Sequence, residues 1–216
     1  MKKADYNIQV FVNCPFDREY DPLFRAIIFT ILDCGFIPRC SLEINGARLR
    51  LNIICGLVKQ CKYGIHDLSR VELDARNHLP RFNMPFELGI FYGVKNDEDG
   101  LSVKKYCLIL EKDRYRYQKF ISDLAGIDIE SHNNSVKKVI CSVRNWLVSS
   151  SKRTTIPPGE RIYSRFLIFK NSFEKICHLR SISIQNMTFI EFTHNISDWL
   201  KINQEISTPF FHYKEI

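Results

Sequence analysis

Residues 106–110 read YCLIL, a strand-length run with no charged side chain on either face. A strand with one face in water alternates apolar and polar residues. A strand apolar on both faces is covered on both, as in a parallel sheet flanked by helices. The neighbouring segments agree. Upstream, 63–68 (YGIHDL) reads as another strand, and 83–94 (NMPFELGIFYGV) as the helix between the two. Downstream, 115–124 reads as a helix with Gly126 as its stop, 127–129 as a short fifth strand and 135–148 as a closing helix.

The same alternation runs back to the amino terminus. Residues 6–12 form a strand ending in the turn-rich NCPFD. Asp21-Pro22 opens a helix, with Asp at the cap and Pro at the first helical position. Its apolar stripe is Leu23, Phe24, Ile27, Ile28, Ile31 and Leu32, and Gly35 stops it. A strand over 36–42, a polar loop with Asn45-Gly46 and a helix over 49–60 follow. The expected fold is α/β: a five-stranded, doubly wound parallel sheet in the flavodoxin-like order 2-1-3-4-5, with helices on both faces. Gly89 and Gly93, four apart, are expected to let their helix approach the sheet closely.

The composition changes at 149–160, SSSKRTTIPPGE, which reads as a linker dividing a domain over 1–150 from residues 151–216. Beyond it, Ile162, Phe166, Phe169, Phe173 and Ile176 recur at helical spacing. Thr188 and Glu191 form a capping box, with Met187 and Phe192 placed as a hydrophobic staple. A second stripe runs Phe189, Phe192, Ile196 and Trp199. Two amphipathic helices in a hairpin cannot bury these stripes alone, so they must pack on the main domain or on another copy.

A chain of 216 residues with 45% hydrophobic and 25% charged residues can bury a sizeable core. Its net charge of +7 suits anionic ligands, but the basic residues are scattered and never exceed two adjacent. Nucleic acid is therefore not the expected partner. The eight cysteines include no C-x-x-C and sit mostly in apolar runs, so they read as small buried hydrophobes in a reducing compartment. No apolar run follows the first lysines as in a signal peptide, and none approaches the ~18 residues of a membrane helix. A cytoplasmic protein without membrane association is expected.

In an open α/β sheet, ligands bind beyond the carboxyl ends of the strands, where the strand order reverses. That crevice would gather Asn13, Phe16, Asp17 and Tyr20 from the first loop, Asp67, Ser69 and Arg70 after strand three, and Asn83, Met84 and Glu87 from the following helix. The chain has no phosphate-binding P-loop, no G-x-G-x-x-G after strand one and no G-x-S-x-G elbow. His66 and His78 are not spaced with carboxylates as a metal site requires. His66 reads as a strand residue with a satisfied hydrogen bond, and Asp123, Asp128 and His132 as a helix stop and turn away from the crevice.

Glu87 stands out as a carboxylate among Pro85, Phe86, Leu88 and Gly89, near a helix amino terminus capped by Asn83. The helix dipole favours its ionised form and an apolar setting opposes it. An ionised, partly dehydrated carboxylate suits stabilisation of a ribosyl oxocarbenium ion or attack on the anomeric carbon. Nicotinamide leaves a pyridinium as a neutral molecule and needs no acid. One glutamate can therefore serve for cleavage of NAD, as substrate rather than cofactor. The alternatives are an acid paired with Arg70 or Arg81, turn-forming roles for Asn13 and Asp17, a turn cap for Asp67, and simple packing for Phe16 and Tyr20. Arg48 and Arg50 could meet dinucleotide phosphates or be solvated.

VFVNCPFDREYDPLFRAI, YGIHDLSR and LPRFNMPFELGIFYG together resemble bacterial proteins of the TIR-like and nucleoside 2-deoxyribosyltransferase-like superfamily, over roughly residues 6–150. The resemblance implies a catalytic glutamate in the helix after strand three, here Glu87. It also implies an aspartate near the end of that strand, here Asp67, holding the base or sugar. The implied activity is cleavage or exchange of an N-glycosidic bond on NAD or a nucleoside. Many bacterial members look like antiviral defence components, and several TIR-like enzymes are inactive until self-assembly completes the site. A homo-oligomer through the hairpin or the TIR-like domain is expected on that ground. The chain departs from a typical TIR domain in SLEINGARLR, which is not a clear BB-loop, and in Pro-Phe-Asp of the first loop. A nucleoside deoxyribosyltransferase or hydrolase, and a non-catalytic nucleotide-sensing or assembly module, stay open beside NAD cleavage.

Overall fold

The computed structural model describes residues 5–43, 50–71, 81–95, 104–124 and 127–204. Five parallel strands, β1 (Gln9–Asn13), β2 (Ile37–Arg39), β3 (Tyr63–Asp67), β4 (Tyr106–Glu111) and β5 (Glu130–Ser131), lie in the order β2-β1-β3-β4-β5. This is the flavodoxin-like order expected from the sequence. The helices are α1 (Asp21–Asp33), α2 (Arg50–Gln60), α3 (Asn83–Lys95), α4 (Val136–Ser151), α5 (Gly159–Leu179) and α6 (Phe189–Ile202).

Strand alternation assigns the two faces. Val10, Val12, Tyr63, Ile65, Leu108 and Leu110 point into a core completed by α1, α4 and the α5–α6 hairpin. Phe11 packs with Ile54, Leu57, Val58 and Phe91 of α2 and α3 on the opposite face. Both faces are covered, which is why β1 and β3 are buried at every position. Gly64 on β3 lies directly under the Phe91 ring of α3. A Cβ there would lie 2.6 Å from the Phe91 ring and 2.9 Å from His66 Nε2. Gly89 and Gly93 face open space, so the expectation that they permit the close approach is corrected: the missing side chain that matters is on the strand.

Helix α1 packs between the sheet and other helices, with Ala26, Ile27, Ile28, Phe29 and Ile31 wholly buried. Tyr20, not Asp21, occupies its cap position, and its backbone N–H is held by the Asp17 carboxylate at 3.0 Å. Gly35, at φ +76°, ends it as expected. The N–H groups of Gly35 and Phe36 return to the Leu32 and Ile31 carbonyls at 3.0 Å each, a left-handed closure that suits glycine.

The hairpin packs on α1 of its own chain. Phe29 meets Phe166, Phe169 and Trp199 with ring centroids 5.3–5.9 Å apart. The expected stripes are the buried ones, except that Cys177 turns inward where Ile176 stays 45% exposed and that Trp199 is half-buried. The Thr188–Glu191 capping box is formed. Residues 152–158 are stapled to α4, with Arg144 donating to the Ile156 and Pro157 carbonyls and Ile156 buried. Phe29→Ala is expected to lower the unfolding free energy by about 3–5 kcal/mol, because no neighbour can collapse into a space walled by three rings. Urea titration reads it, and a loss under 1 kcal/mol would mean the hairpin is not docked this way.

Two elements differ from expectation. Residues 115–124 form short 3-10 turns, Arg116–Lys119 and Ser122–Leu124, after Tyr115 at φ 64°. Only Tyr117 is buried there, too little apolar contact to sustain a helix. Strand β5 lies three residues later than expected, because its pairing is set by Leu110 and Glu111. Ile127 and Ile129 instead pack against the cluster of Leu68, Met84, Leu88 and Ile109. At the other end of the sheet, Lys105 donates to the Val58 and Cys61 carbonyls at the end of α2 and lies over the Phe91 ring. Lys105→Ala is expected to cost about 2 kcal/mol for the lost charged hydrogen bonds, read as a shift in denaturation midpoint. Asn45, Gly46, Arg48, His78 and Gly126 lie outside the described residues.

Candidate functional site

The carboxyl edge of the sheet is divided between its two faces. Side chains alternate along β3, so His66 points toward α3 and Asp67 toward α1. The expected site residues fall on one side or the other rather than around one crevice.

On the α1 side, Asp67 is wholly buried and saturated. Its Oδ1 accepts from the Ser69 backbone N–H at 2.8 Å; its Oδ2 accepts from Tyr20 Oη at 2.5 Å and faces His132 Nε2 at 3.0 Å. His132 Nδ1 accepts the Asn134 backbone N–H at 3.0 Å, so its proton sits on Nε2, directed at Asp67 and at Ser69 Oγ 2.9 Å away. Burial pushes the Asp67 carboxyl up, but the hydrogen bonds from His132, Ser69 and Tyr20 outweigh it and hold the carboxyl below its usual value. Burial, then the Asp67 charge, pushes the Tyr20 phenol well up.

Ser69, His132 and Asp67 have the composition of a hydrolytic triad but not its wiring. In a triad the acid holds Nδ1 and leaves Nε2 free to take the serine proton. Here Nε2 carries the proton and serves both partners, so His132 cannot act as base toward Ser69. The assembly is a buried plug. It extends to Glu111, which is wholly buried and accepts from Arg116 at 2.9 Å, while Arg116 also donates to the Ser69 carbonyl at 2.6 Å. Above it lies a cavity of about 230 Å³ lined by Tyr20, Ser69, Arg70, Lys112 and Asn134 among others.

On the α3 side, Asn13 Nδ2 donates to the Met84 carbonyl at 2.9 Å and faces His66 Nδ1 at 3.0 Å. It ties the end of β1 to the first turn of α3. His66 is only half satisfied: among the described residues Nε2 has no hydrogen-bond partner, and it lies against the Phe91 ring, 5.0 Å between centroids. Burial drives its pKa down to about 3, so it is neutral.

Glu87 is 6% exposed. No hydrogen bond from a described residue reaches its carboxylate, and Arg70 and Arg81 both engage Asp17 instead. Burial raises its pKa to about 7, opposed by the charge of Arg50. The Phe82 carbonyl accepts from the Phe86 N–H at 2.9 Å, so Phe82 and not Asn83 stands at the cap. Glu87 then lies beyond the free N–H groups of the first turn. Arg50, exposed at the start of α2, also donates to Ser41 Oγ at 3.1 Å.

The other candidates fall as follows. Met84 is buried with Leu68, Leu88 and Ile109, and Asn83 is exposed. Phe16 is 38% exposed, edge-on to Phe24 at 5.4 Å. Asp17 is more than a turn former, since it takes both Arg70 and Arg81 and so links the two sides of the edge. Ser69 is buried, and Arg70 is shared between Asp17 and Glu19. Asp123 and Asp128 are exposed as turn residues. His132 is the correction: it is buried beside Asp67 rather than turned away. The signal in the sequence is its place after a fifth strand, which the apolar residues Ile127 and Ile129 obscure by lying just before it.

All eight cysteines are free thiols, and five of them are buried. Among the described residues no group of three His, Cys, Asp or Glu stands where it could hold a metal, and no helix is long and apolar enough to cross a membrane. No family model matches the chain, and neither a curated protein nor a solved structure matches it. The class of molecule is therefore defined by its fold, a flavodoxin-like α/β sheet with an appended helical hairpin.

Proposed function

We propose that the chain is an N-glycosidase of the TIR-like and deoxyribosyltransferase-like type, cleaving the nicotinamide–ribose bond of NAD with Glu87 at its centre. The observation that carries this reading is Glu87 itself: a buried carboxylate on the helix after β3, with no hydrogen-bond partner among the described residues and a pKa raised to about 7. A structural acid at that depth would be hydrogen-bonded, as Asp67 is. A working one is kept short of partners until a cationic group arrives.

In the proposed reaction the C–N bond to nicotinamide breaks, the bonding pair leaves with the ring, and ionised Glu87 stabilises the ribosyl oxocarbenium ion. Water or a ribose hydroxyl then completes the C–O bond and passes its proton to the Glu87 carboxylate, which releases it to solvent. The positive charge of the substrate favours the ionised form of Glu87, offsetting its burial. Asn13 positions the helix through the Met84 carbonyl. The runner-up, deoxyribosyl transfer with Asp67 on the sugar, fits less well, because every oxygen of Asp67 is already occupied inside the plug.

The test incubates concentrated protein, with a crowding agent, with NAD and separately with deoxynucleosides. Nicotinamide release by the wild type and not by Glu87→Gln supports the proposal. Base release from deoxynucleosides moves the chain to the transferase branch. Retained nucleotide binding without turnover of either overturns the catalytic reading in favour of a sensing module. The pH dependence is a further check. The ionised form is the active one, so kcat/KM is expected to rise with pH through about 7.

A further inference from the structure

A cavity of about 610 Å³ opens on the α1 side, between the β1–α1 loop and the turn of the C-terminal hairpin. It falls in the size range of small-molecule sites. Phe16, Phe24 and Phe189 line it in a chain of ring contacts, 5.4 Å from Phe16 to Phe24 and 6.2 Å from Phe24 to Phe189. Phe16 at the rim is the only one of the three that is substantially exposed, at 38%. Neither Glu87 nor Asp67 lines this space.

The charges around the cavity sort themselves into pairs. Asp21 holds Arg25 at 2.7 Å, and Arg25 also lies over the Phe192 ring. Asp17 is taken by Arg70 and Arg81. Glu174 stands 4.0 Å from Lys170. Arg18 is left, exposed and lining the cavity, with no carboxylate paired to it among the described residues. The cavity thus presents an aromatic wall and one unspent guanidinium, a donor fork suited to a phosphate.

We infer that this cavity binds a nucleoside monophosphate, with the base against Phe16 and the phosphate on Arg18, and that the hairpin, through Met187 and Phe189, supplies one wall. An inorganic anion would need only Arg18 and would leave the aromatic wall unused. A purely apolar ligand would leave the guanidinium unpaired. A planar base carrying a phosphate uses both, and base–aromatic contacts are worth about 1–3 kcal/mol by alanine substitution. The hairpin then has a ligand-binding task besides covering α1.

The experiment titrates the full chain with adenosine monophosphate, adenosine and inorganic phosphate by calorimetry. Adenosine monophosphate is expected to bind about tenfold or more tightly than adenosine, and phosphate more weakly than either. Arg18→Ala should reduce the monophosphate to the affinity of adenosine. Phe16→Ala should weaken both nucleosides about tenfold, and Met187→Trp, which fills the cavity, should abolish binding while the far-ultraviolet spectrum is retained. Glu87→Gln should leave this binding unchanged, which separates it from the proposed catalytic site. Absence of binding by all three probes, binding indifferent to Arg18, Phe16 and Met187 together, or phosphate binding as tight as the nucleotide would each overturn the inference.

Discussion

Asp67→Ala is expected to lower the unfolding free energy by about 3–5 kcal/mol, among the largest losses any single substitution in this chain should produce. The reason is the number of donors that converge on Asp67, which is wholly buried. The Tyr20 hydroxyl and the Ser69 N–H would lose their acceptor, and Nε2 of His132 would keep only Ser69 Oγ. The ring nitrogen on the far side of His132 is already committed to the Asn134 N–H, so the imidazole cannot turn to compensate. Denaturant titration of Asp67→Ala, Tyr20→Phe and the double variant gives the coupling, expected at about 1.5–3 kcal/mol for a hydrogen bond to a charged group. Additive losses would show that the plug is not a network. The pH dependence has a definite sign. The folded-state pKa of Asp67 lies below the unfolded one, so its contribution is present above the unfolded value, near 3.9, and is lost as pH falls through the folded value. The gap between wild type and Asp67→Ala should close in strong acid and stay constant from about pH 5 upward.

Glu87→Gln is expected to move activity and stability in opposite directions. If Glu87 stabilises the oxocarbenium ion, the neutral amide should lower NAD cleavage by at least about 10²–10³-fold, the scale of a lost electrostatic contact to a transition state. The same change removes a penalty from the folded state. Glu87 titrates in the fold at about 7, above its unfolded value of about 4.3. Between those two values the folded chain holds a proton that the unfolded chain has released, so stability falls as pH rises across that window. By pH 8 the penalty is on the order of 3 kcal/mol, and Glu87→Gln should recover much of it as a Tm several degrees higher than wild type. At pH 4.5 the two proteins should melt together. A variant that loses activity and is also destabilised at pH 8 would mean that Glu87 is a structural acid with a partner.

The two carboxylates show why a sequence reading of the site stopped where it did. Both could be found from their places relative to β3, Asp67 at its end and Glu87 on the next helix. Their opposite protonation behaviour could not. Asp67 is held ionised by three donors, from residues 20, 69 and 132, two of them far from it in the chain. Glu87 is pushed toward neutrality by burial, which outweighs the opposing charge of Arg50. That burial is set by tertiary packing, which apolar spacing within one helix does not record. His132 was missed for a similar reason. Strand β5 is two residues long and carries Glu130 and Ser131, so it is marked by register with β4 and not by hydrophobicity.

What the sequence determined by itself is the sheet and its layers. Unbroken apolar strands such as YCLIL, separated by helix-length stripes, can be buried only as parallel strands between two helical layers. The right-handed crossovers then leave few orders to choose from. The helical hairpin was legible in the same way, from two stripes and a capping box. Only the tertiary structure decided which surfaces those stripes would cover. Phe29 on α1, which lies off the stripe assigned to that helix, is the residue on which the hairpin rings converge. Only the tertiary structure, too, divided the carboxyl edge into a sealed plug on one face and a lone glutamate on the other. Burial and hydrogen bonding are set by residues distant in the chain, while periodicity records only the local preference of each segment to hide one face from water.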